Sequence, residues 1–373
     1  MTKVDLVWFN AGGGHRAAAE ALEQVIESQA RPWSVRKVNF TQVLDPEMLF
    51  RRLTSMEPED LYNKRLASGF TLGLAQELKL FQHFIRWSHR ILVERLARHW
   101  RATKPDIVVS LIPNFNRALH DSLAEACPGV PFVTVLTDMA DLPPAFWIEG
   151  DLQQHVVCGT DHAVAQALAA GCAPERVYRT SGMVLRPSFY LQPPLDRVAE
   201  RKRRGLDPHA ATGLVLFGGT GSRVMKRIAE RVPDTPLILM CGRNEPLAAA
   251  LRALPARSPR IVVGHTPDVA QWMRLADFFI GKPGPGSLSE AVQQGLPVIV
   301  TRNAWTMPQE RWNTEWVRQH GLGVVHRSFA TVQSAVTEIV RDLPAAQRRV
   351  RALENRAVFE VPAILERILA LPR

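Results

Sequence analysis

Short apolar runs, each followed by a turn and then a helical stretch, recur through both halves of this chain and leave few folds open to it. Val4–Phe9 reads as a buried strand and Ala11–His15 as a glycine turn. Arg16–Gln29 follows as a helix with Ala, Leu, Val and Ile on one side. Further strands are expected at Ser34–Asn39, Ile107–Leu111, Phe132–Leu136, His155–Cys158 and Val177–Thr180. The pattern breaks near Arg186-Pro187 and the charged run Arg201-Lys202-Arg203-Arg204, then resumes with strands at 214–217, 237–240, 260–263, 277–280 and 297–301. Most of these runs are continuously apolar instead of alternating, as in strands covered on both faces, and strand–helix–strand order makes the sheets parallel. The expected class is α/β, with domains at 1–188 and 189–355 and a ligand cleft at the C-terminal ends of the strands.

A length of 373 residues suits two domains, and 46% hydrophobic with 22% charged residues excludes a disordered chain. No apolar run approaches the roughly 18 residues of a membrane span. The N-terminus is too short and polar to read as a signal peptide. Cys127, Cys158, Cys172 and Cys241 form no CxxC or zinc spacing, which fits a reducing cytosol. A net charge of +10 admits nucleic acid, an anionic membrane or a phosphorylated small molecule. No aromatic-and-basic recognition module accompanies the charge, so no nucleic acid is expected.

Four segments carry chemistry. Lys282-Pro283-Gly284-Pro285-Gly286-Ser287 follows the apolar Phe278-Phe279-Ile280 and opens a helix, which aims backbone N–H groups at an anion. Glu290, one turn on, can accept hydrogen bonds from ribose hydroxyls; the competing reading makes Ser287 the N-cap and Glu290 the partner in a capping box. Gly218-Gly219-Thr220-Gly221 is a second glycine turn, lacking the Lys-Ser/Thr ending of a P-loop, and the two loops together suit the two sides of a diphosphate. Gln309, Glu310 and Asn313, in a helix starting after Pro308, present a carboxylate and two amides to sugar hydroxyls, or simply form a solvated helix start. Gly12, Gly13 and Gly14 lead into His15, whose imidazole can take a proton from a hydroxyl at neutral pH or merely finish a turn.

In this order and spacing the segments resemble the monogalactosyldiacylglycerol synthase and processive diacylglycerol glucosyltransferase group, and more distantly the GlcNAc transferase of peptidoglycan lipid-intermediate synthesis. Cys241-Gly242-Arg243-Asn244, Trp272-Met273, Ala276-Asp277 and Gly295-Leu296-Pro297 extend the resemblance. It implies a GT-B fold with two facing Rossmann-like domains, and inverting transfer of a hexose from a UDP-sugar to a lipid such as diacylglycerol, with no catalytic metal and no cofactor. It also implies that the loop of Lys282, Gly284, Pro285, Gly286 and Ser287, with Gly218–Gly221, Arg243, Asn244, Gly264 and His265, holds the nucleotide diphosphate. Glu290 would hold the ribose, and Gln309, Glu310 and Asn313 the sugar. His15 would occupy the place of the base, with Asp138 orienting it or the acceptor. The chain departs from the group at Gly264-His265, where relatives carry Gly-Phe. A C-terminal helix over 356–373 would return to the first domain, as in other GT-B chains.

Gln76–Trp100 reads as one long helix or two. Leu78, Phe81, Ile85, Leu92, Leu96 and Trp100 approximate an apolar stripe, beside Arg86, Arg90, Arg95, Arg98, Arg101 and Lys104 with few acids among them. A basic amphipathic helix of this kind suits peripheral docking on an anionic membrane, at the cytoplasmic face, or an ordinary core helix with solvated arginines.

Overall fold

The structure, a computed structural model, describes residues 1–10, 13–45, 74–191 and 193–372, and only the backbone at 74–79. These residues form two compact units. One runs to Pro187 and takes in the chain from Asn355 onward; the other is Ser188–Glu354.

In the first unit the order is β1 (Thr2–Trp8), α1 (Gly14–Ser28), β2 (Trp33–Asn39), α2 (Phe40–Leu44), α3 (Leu74–Trp87), α4 (His89–Thr103), β3 (Ile107–Ser110), α5 (Asn116–Ala126), β4 (Phe132–Val135), β5 (His155–Cys158), α6 (Asp161–Ala169) and β6 (Val177–Arg179). The strands make one parallel sheet in the order β2-β1-β3-β4-β5-β6. Every residue of β3, β4 and β5 is buried, as continuous apolar runs require.

The second unit contains α7 (Arg197–Arg203), β7 (Gly213–Leu216), α8 (Val224–Arg231), β8 (Leu237–Gly242), α9 (Glu245–Arg252), β9 (Arg260–Gly264), α10 (Val269–Leu275), β10 (Phe278–Gly281), α11 (Pro285–Gln293), β11 (Val298–Thr301), α12 (Arg311–Gln319), β12 (Gly323–His326), α13 (Val332–Arg341) and α14 (Leu343–Arg351). Its parallel sheet runs β12-β11-β10-β7-β8-β9. Strand β12 escaped the sequence reading because Gly323-Val324-Val325-His326 is short and only Val324 of the four is buried.

The last helix, α15 (Ala357–Leu369), belongs to the first unit. Its Glu360 accepts from the Ser181 N–H at 2.7 Å, and Glu366 pairs with Arg31 at 2.9 Å. Asn355, just before it, donates to the Met183 carbonyl at 2.9 Å.

The basic helical region is two helices, α3 and α4, separated by Ser88. The apolar stripe read from sequence is partly core: Ile85, Leu96 and Trp100 are buried. Leu78 lies outside the described side chains. Phe81 of that stripe is exposed (45%), and so is a neighbouring line, namely Leu80 (70%), Phe84 (58%), Trp87 (80%) and Ile91 (53%). Two of the arginines are paired with acids, Arg90 with Glu94 of its own helix at 3.4 Å and Arg101 with Glu125, from α5, at 2.5 Å. Arg86 and Arg98 are exposed.

Candidate functional site

In the first sheet the chain steps from β1 outward to β2 and then returns to the other side at β3. The switch point therefore lies between the C-terminal ends of β1 and β3, where doubly wound sheets open a crevice. The loop after β1 ends at Gly13, whose φ of +80° is the left-handed conformation that glycine adopts freely; it caps α1, and His15 is the second helical residue. The loop after β3 starts at Leu111, whose N–H is tied to the Val7 carbonyl at 3.0 Å.

These two loops meet through the imidazole. His15 Nδ1 lies 2.8 Å from the Leu111 carbonyl oxygen and 3.0 Å from Thr137 Oγ1. A carbonyl can only accept, so Nδ1 carries the proton and Nε2 keeps its lone pair. Phe9 stacks on the ring at 4.7 Å and Trp147 lies 5.9 Å from it. Burial pushes the His15 pKa down to about 4, against the opposing effect of the Leu111 bond. At neutral pH the ring is thus an uncharged acceptor at Nε2.

Trp147 is itself fixed. Its indole N–H donates to Asp138 Oδ2 at 3.0 Å, and its backbone N–H donates to Asp141 at 2.6 Å. Asp141 also receives the N–H groups of Ala145 and Phe146, and burial raises its pKa to about 6 despite these bonds.

In the second sheet the switch point falls between β7 and β10, paired strands whose ends Leu216 and Gly281 are in register. The loops that leave them are the two glycine turns. The first is knitted to the end of β8: the Arg243 N–H donates to the Gly219 carbonyl at 3.1 Å, and the Asn244 amide donates to the Thr220 carbonyl at 3.0 Å. Asn244 also caps α9 by accepting from the Leu247 N–H. The approach leaves no room at Gly242, where a Cβ would stand 1.9 Å from the Gly219 oxygen. His265, beyond Gly264 at the end of β9, lies with Nε2 3.3 Å from Arg243 Nη2.

The second loop opens α11, and the N-cap is Gly284 with Pro285 in the first helical position, so Ser287 stands inside the first turn and is not the cap. Proline has no N–H to waste there. The Leu288 N–H closes the first turn on the Gly284 carbonyl, which directs the earlier N–H groups of Gly286 and Ser287 out of the helix end. A Cβ at Gly286 would meet nothing within 4 Å, so that backbone is open to approach. Unsatisfied N–H groups and the positive end of the helix dipole together suit an anion.

Behind this loop lie the residues read as sugar contacts. Gln309 and Glu310 sit in a 3-10 turn at Pro308–Glu310, and Asn313 in α12; all three are buried, Asn313 completely. Asn313 donates to the Pro283 carbonyl at 2.7 Å, and Glu310 meets Lys282 Nζ at 2.6 Å. In this arrangement Asn313 holds the glycine–proline loop in place and presents no surface of its own. Lys282 keeps about a third of its side chain exposed at 37%. Among the described residues no three His, Cys, Asp or Glu side chains gather as a metal site.

No family model matches the chain. A probable monogalactosyldiacylglycerol synthase 2, chloroplastic, of Oryza sativa subsp. indica is 28% identical over 350 residues, covering 86% of this chain and 69% of that protein. The chain is similar to the monogalactosyldiacylglycerol synthases over most of its length. Among solved structures, Acinetobacter baumannii MurG superposes with a TM-score of 0.59 at 14% identity, covering 98% of this chain and 100% of that one. WaaG, a glycosyltransferase involved in lipopolysaccharide biosynthesis, gives 0.56 at 14%, covering 99% and 100%. UDP-GlcNAc 2-epimerase from Neisseria meningitidis, bound to UDP-GlcNAc, gives 0.59 at 13%, covering 99% of each chain. The fold is GT-B.

Measured against the sequence reading, the structure gathers Gly218, Gly219, Thr220, Gly221, Arg243, Asn244, Gly264 and His265 along the ends of β7, β8 and β9, and Lys282 through Ser287 at the end of β10. Glu290 is half-buried within α11. Gly13, Gly14 and His15 are at the first switch point, and Gly12 lies outside the described residues. The sequence reading missed Leu111, Thr137 and Trp147. The strand end around Asp138 was the available signal, since Thr137 adjoins it.

Proposed function

We propose that the chain is an inverting glycosyltransferase that moves a hexose from a UDP-sugar to the hydroxyl of a lipid such as diacylglycerol, at an anionic membrane surface. The observation that carries this reading is that the chemically distinctive motifs coincide with the switch points of their own sheets, one equipped to take a proton and the other an anion. His15 Nε2 accepts the acceptor's hydroxyl proton while that oxygen attacks the anomeric carbon. The bond from that carbon to the diphosphate oxygen breaks, and UDP leaves with the charge. The helix end at Gly286 and Ser287 and the exposed part of Lys282 stabilise that charge, which is the work a metal ion would otherwise do. A base as weak as this ring accepts its proton late, as the new C–O bond forms and acidifies the hydroxyl.

The membrane part of the proposal uses Leu80, Phe84, Trp87 and Ile91. Burying each fully in lipid contributes roughly 1.5–3 kcal/mol, and an arginine near an anionic surface about 1 kcal/mol. Arg86 and Arg98 are exposed on the same pair of helices. No helix among the described residues is long and apolar enough to cross a membrane, so docking would be peripheral. The double variant Phe84→Ser/Trp87→Ser should lose most co-sedimentation with anionic vesicles while keeping its affinity for UDP; unchanged sedimentation removes this face from the proposal.

The likeness to UDP-GlcNAc 2-epimerase favours a second reading, in which a nucleotide-sugar is consumed with no acceptor. A panel of UDP-glucose, UDP-galactose and UDP-GlcNAc against diacylglycerol, a glycolipid and water separates the two. Transfer predicts UDP release and a glycolipid product only with a lipid acceptor. Consumption in water alone would replace transfer with the second reading.

A further inference from the structure

Beyond the glycine loops, the second unit gathers positive charge at another place. Arg302 follows β11, and its backbone N–H donates to the His326 carbonyl at the end of β12 at 2.8 Å. Asn303 donates to the Arg327 carbonyl at 2.9 Å, which ties the two strand ends together. The loop then folds back on itself: the Asn303 N–H meets Thr306 Oγ1 at 3.0 Å, and Arg311 Nε donates to the Thr306 carbonyl at 3.3 Å. The Arg302 backbone and the Arg311 side chain are thus anchored on one short loop, and both side chains are half-buried.

Arg302 is poorly provided for within the chain. Its Nη1 is buried without a hydrogen-bond partner. The acid that acts on it is Glu315, which is already paired with Arg318 at 2.6 Å. Burial, followed by the charges of Arg311 and Arg318, holds the Arg302 guanidinium below its ordinary pKa. Guanidinium forks are shaped for planar oxyanions, and a half-buried fork with few partners in its own chain is suited to hold one.

We propose that Arg302 and Arg311 form a second anion site in this unit, which binds a carboxylate or phosphate group. Two sources share that chemistry. One is the carboxylate of an acidic sugar on the nucleotide donor, because the same loop runs directly into Gln309 and Glu310; this source rests on the donor reading above. The other is a free oxyanion bound independently of any donor.

Calorimetric titration of the full chain with UDP, UDP-glucose, UDP-glucuronate and inorganic phosphate distinguishes them, using Arg302→Met and, as a milder change, Arg311→Gln. For a donor carboxylate, UDP-glucuronate binds at least tenfold more tightly than UDP-glucose, and both variants abolish that preference while UDP affinity is kept. For a free oxyanion, phosphate binds the chain with or without saturating UDP, and both variants weaken it at least tenfold. If both variants bind phosphate and UDP-glucuronate as the unaltered chain does, or if the unaltered chain shows neither the preference nor phosphate binding, the site is overturned. Failure of UDP itself to bind would overturn the donor reading, leaving the phosphate titration to decide this site.

Discussion

The two sheets have the same construction and opposite chemistry at their switch points. Each opens between a first strand and the strand that returns to its other side, and each brings a glycine-bearing loop to a helix N-terminus. At the first, aromatic rings close around an imidazole and strip it of charge. At the second, the N–H groups of a helix end are left facing outward, beside a lysine that is paired with Glu310 and about a third exposed. The difference shows that a doubly wound sheet supplies only a place. Whether the place handles a proton or an anion depends on what lines the loops: Phe9, Leu111 and Trp147 in one case, Gly286, Ser287 and Lys282 in the other.

The largest effect should come from removing the proposed proton acceptor. His15→Ala is expected to lower turnover by roughly 10²–10⁴-fold, the usual contribution of a general base, with no change in UDP affinity. Product formation and calorimetry check the two halves of that statement, and loss of UDP affinity would break the division of labour. The pH profile sharpens it. With a pKa of about 4, the ring stays unprotonated down to mildly acidic pH, so the acidic limb of turnover should be centred near 4. An unperturbed imidazole, with a pKa of about 6.5, would already have lost roughly nine-tenths of its neutral form at pH 5.5. Stability follows the same sign, because a ring whose folded pKa is depressed binds its proton more readily when unfolded. The stability it contributes is complete above about 6.5 and is lost as pH falls toward about 4.

The anion end offers a test in which fold and ligand respond oppositely. Gly286 has an ordinary helical neighbourhood and open space where a Cβ would go. Gly286→Asp puts a carboxylate at a helix N-terminus, which should stabilise the helix by about 0.3–1 kcal/mol. The same charge would face the donor's diphosphate. The expected result is an unchanged or raised Tm with UDP affinity lowered by about 100-fold, on the order of 3 kcal/mol of repulsion and lost contact. A variant that binds UDP normally would show that this helix end is not the anion site.

Where each unit could be read from sequence follows from the range of the interactions involved. Continuous apolar runs and glycine turns are local, and they identified eleven of the twelve strands among the described residues, along with both loops. Of the two readings of the second loop, the capping box at Ser287 does not form, because the chain turns at Gly284 and Pro285 takes the first helical position. The stripe read along α3 divides, with Ile85 in the core and Phe81 exposed, because helical spacing alone cannot say which apolar positions meet the core. The imidazole's surroundings come from β1, β3 and the segments after β4, and only sheet order brings these together. The burial of Asn313 is likewise a matter of tertiary packing, since its amide pairs with a carbonyl 30 residues away.

That pairing supplies the smallest and most discriminating prediction. If Asn313 acts by holding the Pro283 carbonyl, Asn313→Ala leaves a buried acceptor unmet and should cost about 1–3 kcal/mol of stability. It should also loosen the loop and so weaken UDP and UDP-sugar alike, by about tenfold. A direct sugar contact predicts the opposite pattern, with UDP affinity kept and only UDP-sugar weakened. Thermal unfolding and paired titrations with UDP and UDP-glucose separate the two, because a lost sugar contact affects only the ligand that carries the sugar. If Tm and UDP affinity both stay at their original values while UDP-glucose binds less well, Asn313 belongs with the sugar, and the second switch point extends from its glycine loops into the helix behind them.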